Sequence, residues 1–248
     1  NQTLLFDYTK KAPKTVVILH TNDTYGTIVA NNAPKLATAN KMPYKILDSI
    51  AYDPTAKDLS LEVAKAKGSG AEGLIVVSRL NDAILITKEL VKQRWTPMGI
   101  MSIGPGWYEA PYLKTLGKLS DDVMNFVPWF DPNKPMTKKL SAEMNKLYPG
   151  LVLNPNHTCT FEAVQVALDA FKRAGTAEAA PLMKALKSTD LKDGVSIGDG
   201  VTFDAKGQNA HYKCAGVQNE GEKLYVIVPR SAAEREPVWP IRPWNKRA

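Results

Sequence analysis

Apolar segments of strand type alternate with helix-type segments along the first half of this chain. The strand-type segments are residues 15–20, 44–50, 73–78, 97–102 and 123–128, and the helix-type segments are 25–41, 59–67, 81–93 and 107–116. This alternation is typical of βαβ units and predicts an α/β fold, a doubly wound parallel sheet with helices on both faces. Ligands of such sheets bind outside the carboxyl ends of the strands. The residues after each strand are therefore the first candidates for function.

The alternation stops near residue 128, where the sequence WFDPNKP cannot continue a helix. Helices are predicted at 136–147, at 158–175 with Thr158 as N-cap, and at 180–186, with no strong strand between them. A hairpin is predicted from 212–218 and 223–228, followed by an extended tail pinned by Trp239 and Trp244. The helices have apolar faces but no strands of their own. We expect a segment outside this sequence, or a second copy, to cover them.

Composition narrows the class of protein. The chain has 248 residues, 44% of them hydrophobic, and a net charge of +7. Its basic residues are scattered and form no run interleaved with aromatics, so we expect no nucleic-acid partner. No apolar run approaches the roughly 18 residues that a membrane-spanning helix needs. Cys159 and Cys214 fit no metal or CxxC spacing, which leaves a disulfide or two small buried side chains as alternatives.

No catalytic set is visible in the sequence. The three histidines, His20, His157 and His211, fall in different segments, and the motifs GxSxG, HExxH and GxxxxGK[ST] do not occur. The turn at 104–106 is not a dinucleotide fingerprint. We therefore predict a protein that is not an enzyme and that uses neither a cofactor nor a metal.

Six stretches, taken in order, resemble a known family. They are residues 14–31, 52–76, 112–129, 160–175, 201–211 and 226–244. The chain is similar to type I periplasmic solute-binding proteins of ABC importers, in the branched-chain amino acid (leucine/isoleucine/valine) class, without their N-terminal third. The resemblance implies a two-lobed fold with the ligand in a cleft, a periplasmic location, a membrane ABC permease as partner and a monomer. It implies that 1–128 with 196–248 form the C-terminal lobe and 129–195 the helical part of the N-terminal lobe.

Several residues after the strands are candidate ligand contacts. Asn22, Ser78 and Ser102 offer polar groups at strand ends. Tyr25, in the sequence TYG, matches a ligand-contacting tyrosine of the family; the alternative is packing on its own lobe. Arg79 lies where the amino-acid binders carry an aromatic residue. Its guanidinium suits a bidentate carboxylate, although a surface or inter-lobe salt bridge is an equal alternative.

Aromatic residues and a second segment complete the candidate set. Trp107, Tyr108 and Trp129 have the rings to stack on an aromatic ligand, with packing of the lobe surface as the alternative. Asn156 and His157 precede the long helix of the other lobe and are candidates for the cleft. A lone histidine is more often satisfied by local hydrogen bonds.

The sequence also bears on the class of ligand. Amino-acid binders of the family place an acidic residue near position 103 for the ligand's ammonium group, but the sequence SIGPGW has none. Because a buried ammonium without a partner is costly, we expect a small carboxylate, most of all an aromatic one. Arg79 would hold the carboxylate, with Tyr25 and Trp107 beside the ring. The alternatives are an amino-acid binder of the same family, a ligand-sensing receptor domain and an α/β enzyme.

Overall fold

A computed structural model describes residues 2–247 of the chain. It contains a seven-stranded sheet in the order β2-β1-β3-β4-β5-β8-β9. Five parallel strands come first in sequence: β1 (Thr15–Thr21), β2 (Lys45–Tyr52), β3 (Gly73–Val77), β4 (Ile100–Ser102) and β5 (Met124–Pro128). The antiparallel hairpin β8 (Cys214–Glu220) and β9 (Lys223–Val228) completes the sheet. The predicted α/β fold with a mostly parallel central sheet is confirmed.

Helix α1 (Gln2–Thr9) precedes β1. Four further helices connect the parallel strands: α2 (Thr24–Ala39), α3 (Ser60–Gly68), α4 (Leu80–Lys92) and α5 (Ala110–Leu116). All five residues of β3 are buried, which explains its unbroken apolar sequence, because helices cover both faces of a parallel sheet. Val17 and Val76 face one apolar cluster, while Ile18 and Ile75 face the other.

The chain divides into two compact units. The first comprises the chain up to Val127 and from Gly216 onward, and the second is Pro128–Ala215. The second unit holds α6 (Pro135–Leu147), α7 (Pro155–Ala174), α8 (Ala179–Lys187) and the short antiparallel pair β6 (Asp190–Leu191) and β7 (Val201–Thr202). Among the described residues, no helix has both the length and the apolar character needed to cross a bilayer.

The second unit extends to Ala215, beyond residue 196, where the sequence predicts the return to the first lobe. The Asp131 amide donates to the Val195 carbonyl at 2.8 Å, Phe130 bridges Ser196, and the Lys213 amide donates to the Ile197 carbonyl at 3.0 Å. These bonds hold the 195–213 stretch in the second unit. All of these contacts are between backbone groups, so no pattern of side chains in the sequence predicts them.

Helix α7 begins three residues before its predicted start. Asn154, not Thr158, is the N-cap: its side chain accepts a hydrogen bond from the Asn156 amide at 3.0 Å. The outward face of α7 exposes Val164, Leu168 and Phe171. That a further segment or a second copy covers this face stays a prediction.

The C-terminal tail is fastened to the first unit, as predicted from its tryptophans. The Trp239 indole donates to the Lys11 carbonyl at 3.0 Å, and the Trp244 indole donates to the Trp95 carbonyl at 2.8 Å. Arg242, between them, reaches the buried Asp122 with Nη2 at 2.7 Å and Nε at 2.9 Å. The tail is therefore joined to the segment that leads into β5.

Replacing Asp122 by Asn tests how strongly this ion pair stabilises the first unit. Asp122→Asn leaves Arg242 without its buried anion, and we expect the free energy of unfolding to fall by about 2–4 kcal/mol. Asp48→Asn is the matched control. The Lys65–Asp48 pair, at 3.4 Å, is exposed, so its loss should change stability by less than about 1 kcal/mol. Urea unfolding of both variants measures the difference, and equal effects would contradict a stabilising role for Asp122.

Candidate functional site

Three neighbouring strands bring the candidate residues to one edge of the sheet. β1, β3 and β4 are adjacent and parallel, so their carboxyl ends meet at this edge. Asn22 to Tyr25 follow β1, Ser78 and Arg79 follow β3, and Ile103 follows β4. We call this group the carboxyl edge.

An ion pair links the first two of these strand ends. Arg79 Nη2 donates to Asp23 Oδ2 at 2.8 Å, and the side chain of Arg79 is 62% exposed. Asp23 is also the N-cap of α2, because its Oδ1 accepts from the Gly26 amide at 2.7 Å. That hydrogen bond, helped by the arginine, lowers the pKa of the Asp23 carboxyl, while Asp23 raises the pKa of Arg79. Both groups are charged at neutral pH.

Tyr25 joins the third strand end to the same edge. Its hydroxyl donates to the Ile103 carbonyl at 2.9 Å, yet the residue remains 43% exposed. Partial burial raises the pKa of this hydroxyl, so it stays protonated and remains a donor. One aromatic ring is therefore fixed at its tip and open along its side.

The backbone of the β3–α4 connection is held in place from two sides. The buried Asp82 carboxylate accepts from the Arg79 amide at 3.1 Å and from the Tyr52 hydroxyl at 3.0 Å. On the other side, Gly104 and Gly106 pack directly against this backbone. A methyl group at Gly104 would lie 2.5 Å from the Ser78 carbonyl oxygen, and one at Gly106 would lie 2.2 Å from the Arg79 carbonyl oxygen. Only glycine allows so close an approach.

Trp107, which the sequence predicts beside the ligand, lies inside the first unit. Trp107 is fully buried, donates from its indole to the Ser78 hydroxyl, and packs 5.4 Å from the Tyr112 ring. Tyr108 and Trp129 are also buried, and Trp129 stacks on Phe130. The alternative of packing describes Trp107 and Trp129, whose rings contact Tyr112 and Phe130 within their own units.

Ser78 and Ser102 also lie below the surface rather than on it. Both residues are buried. The Ser78 hydroxyl accepts from Trp107, and the Ser102 hydroxyl donates to the Gly104 carbonyl at 2.9 Å. These two hydroxyls fix the loop after β4, and neither residue is open to solvent in this structure.

The remaining candidates are accessible. Asn22 is exposed, and its backbone amide donates a hydrogen bond to the Tyr52 carbonyl at 2.7 Å. In the second unit Asn156 is exposed, and His157 Nδ1 accepts from the Asn154 amide at 3.3 Å, which closes the capping box of α7. His157 thus has the local hydrogen bond expected of a structural histidine. Ligand contacts by Asn22, Asn156 and His157 stay predictions.

Asp23 is a residue of the carboxyl edge for which the sequence predicted no role. An aspartate directly between an apolar strand and a helix start is an N-cap signature, and that signal was present. Its pairing with Arg79 joins residues far apart in sequence and needed the fold. Asp23 also places a carboxylate at the carboxyl edge, which weakens the argument that no group there could meet an ammonium ion.

The cysteines and acidic residues form no evident metal site. Within residues 2–247 no group of three or more His, Cys, Asp or Glu side chains is arranged to hold a metal ion. Cys159 and Cys214 are free and half-buried, and Cys159 Sγ lies 3.7 Å from the Tyr212 hydroxyl. Neither cysteine is bridged to the other, and each is only partly buried.

A family model described as periplasmic binding protein matches residues 3–221. The chain belongs to the periplasmic binding protein family. The resemblance noted in the sequence is thereby confirmed.

Curated relatives are identical to this chain at about a quarter of the aligned positions. It is 24% identical over 227 residues to Leu/Ile/Val-binding protein homolog 7 of Brucella suis, covering 89% of this chain and 56% of the relative. It is 26% identical over 222 residues to homolog 8 of Brucella abortus, covering 87% and 55%. The chain therefore spans about half the length of these family members.

Solved structures of periplasmic binding proteins share the fold. A leucine-binding protein, LivK, of Thermotoga maritima aligns with a TM-score of 0.76 and 16% identity over 91% of this chain and 63% of its own. A fatty acid ABC transporter substrate-binding protein of Thermomonospora curvata aligns with a TM-score of 0.72 and 15% identity over 97% and 64%. At such identities the likeness establishes the fold and leaves the ligand open.

The close packing of Gly106 on Arg79 can be tested with one methyl group. Gly106→Ala forces the two backbones apart, and we expect a loss of about 1–3 kcal/mol in stability. Gly68→Ala is the control. Gly68 ends α3 and has nothing within 4 Å of the added methyl, so a gain of about 0.4–1 kcal/mol is expected. Thermal unfolding measures both, and a neutral Gly106→Ala protein would contradict the packing argument.

Proposed function

We propose that this chain is part of an extracytoplasmic solute-binding protein that captures a small organic acid and delivers it to the membrane permease of an ABC importer. The observation that carries this proposal is an exposed, anchored guanidinium beside a half-exposed tyrosine at the carboxyl edge. Within the proposal, the first unit corresponds to the C-terminal lobe and the second to part of the N-terminal lobe. The protein acts in the periplasm as a monomer.

The chemistry of Arg79 supports a carboxylate ligand. A guanidinium presents several donors in a planar fork that matches a carboxylate, and Asp23 is bonded to Nη2 alone. Charge-assisted hydrogen bonds of this kind are about twice as strong as neutral ones. The open side of the Tyr25 ring would pack against the body of the ligand. An aromatic acid combines the two features.

An amino-acid ligand is the second candidate, and Asp23 is the observation that favours it. Its carboxylate lies within hydrogen-bonding distance of Arg79, so one small zwitterion would reach both charges. Asp23 already accepts from Arg79 and from the Gly26 amide, however, and its charge is compensated. An ammonium group would have to share that carboxylate with two existing donors. We therefore rank the organic acid first.

Binding rather than catalysis is proposed as the activity. The names of the relatives describe Leu/Ile/Val-binding and substrate-binding proteins. The sequence adds no nucleophile–base motif. Mass spectrometry of small molecules released from the purified protein on denaturation would identify a co-purified ligand. Chemical conversion of that ligand by the protein would contradict the proposal.

Arg79→Gln is the direct test of the carboxylate site. Because a bidentate charged pair contributes about 1.5–3 kcal/mol, affinity for benzoate-type acids should fall roughly tenfold to over a hundredfold. Arg79→Lys should recover only part of the affinity, since lysine lacks the planar fork. Arg94→Gln is the matched control: Arg94 is exposed just beyond the opposite end of α4 and carries the same charge.

Calorimetry on the chain and its variants decides between the candidates. The proposal expects benzoate-type acids to bind more tightly than leucine or valine, and expects Arg94→Gln to leave affinity unchanged. Tighter binding of the amino acids would favour the second candidate. Unchanged affinity of Arg79→Gln would remove Arg79 from the site.

A further inference from the structure

The Arg79 side chain needs a support if it is to bind a ligand precisely. Its side chain is 62% exposed, and a free arginine at a surface samples many rotamers that binding would have to freeze. Freezing such a side chain costs affinity. A residue that fixes the guanidinium before the ligand arrives removes that cost.

Asp23 is itself held firmly. Its Oδ1 accepts from the Gly26 amide at 2.7 Å in the first turn of α2, which leaves Oδ2 to receive Arg79 Nη2 at 2.8 Å. The Arg79 backbone is fixed independently, because its amide donates to Asp82 and its carbonyl lies against Gly106. Both ends of the arginine are thus tied to rigid parts of the first unit.

We propose that Asp23 is a positioning residue: it holds the Arg79 guanidinium in the orientation that receives the ligand's carboxylate. This inference rests on the function proposed above and adds a determinant of affinity to it. Asp23 acts through Arg79 and through the start of α2, without needing to touch the ligand. The low pKa of its carboxyl keeps it ionised for this task.

The sign of a mutational effect separates positioning from simple electrostatics. Asp23 is an anion close to a site that binds anions. If it acted only through its charge, its removal would strengthen carboxylate binding. If it positions Arg79, its removal weakens binding because the ligand must then order a mobile guanidinium. The two accounts predict opposite changes in affinity.

Two substitutions also separate positioning from folding. Asp23→Asn keeps a good N-cap for α2, because its amide oxygen can accept from Gly26, but its amide nitrogen then faces Arg79 and cannot accept. Asp23→Glu keeps a carboxylate for Arg79 but falls outside the residues preferred as N-caps. The Asp23→Asn protein should therefore be more stable than the Asp23→Glu protein. The Asp23→Glu protein, in contrast, should bind a carboxylate ligand more tightly.

The experiment measures benzoate affinity by calorimetry and stability by thermal unfolding for both variants, alone and combined with Arg79→Gln. We expect Asp23→Asn to weaken binding about three- to tenfold and Asp23→Glu to recover part of that loss. In the Arg79→Gln background, Asp23→Asn should have no further effect. Reversed affinity ranks would contradict positioning and support a folding role, and tighter binding by Asp23→Asn would support electrostatics alone.

The outcomes keep this inference distinct from the proposed function. If Arg79→Gln weakens binding while both Asp23 variants bind as the unmodified chain does, positioning is wrong and the carboxylate site stands. If Arg79→Gln binds benzoate unchanged, or the unmodified chain binds no carboxylate, the proposed function fails and the inference fails with it.

Discussion

The burial of β3 on both faces is the constraint on which the first unit depends. Its five residues lie between β1 and β4, and helices cover them above and below. Parallel strands that are buried in this way must end at the same edge, so the connections after all three strands converge. The Asp23–Arg79 pair and the Tyr25–Ile103 hydrogen bond span these three ends. The candidate site is thus a consequence of the order of the strands.

Much of this first unit was predictable because buried parallel strands read as apolar runs. The predicted strands and helices lie within a few residues of those observed, and the tail is pinned by Trp239 and Trp244 as expected. Strand β4 is shorter than its apolar run. Gly99 lies under the Trp239 ring, and the Met98 carbonyl accepts from the Ile241 amide, so the tail occupies that stretch. A segment more than a hundred residues away decides this boundary.

The candidate site was less predictable, for a reason that Trp107 illustrates. An aromatic residue after a strand has the same sequence pattern whether it faces a ligand or the core. Trp107 packs with Tyr112 in the apolar core of the first unit, and the Ser78 hydroxyl gives its indole N–H an acceptor there. Asp23 shows the opposite case. Its local signal as an N-cap was clear, but its partner Arg79 comes from another strand and only the fold brings them together.

Charge affects a ligand at two ranges in this protein. The net charge of the chain acts at long range and favours any anion, whereas the Asp23–Arg79 pair acts at contact and favours a particular geometry. The net charge of +7 attracts anions in general, within a screening length of about 10 Å at moderate salt. At the carboxyl edge the charge of Arg79 is balanced by Asp23, so the pair itself contributes little net attraction. Discrimination among anions must then come from the direction of hydrogen bonds and from contact with Tyr25. A rigid pair suits that task, because directional bonds gain most when their donors are fixed before the ligand arrives.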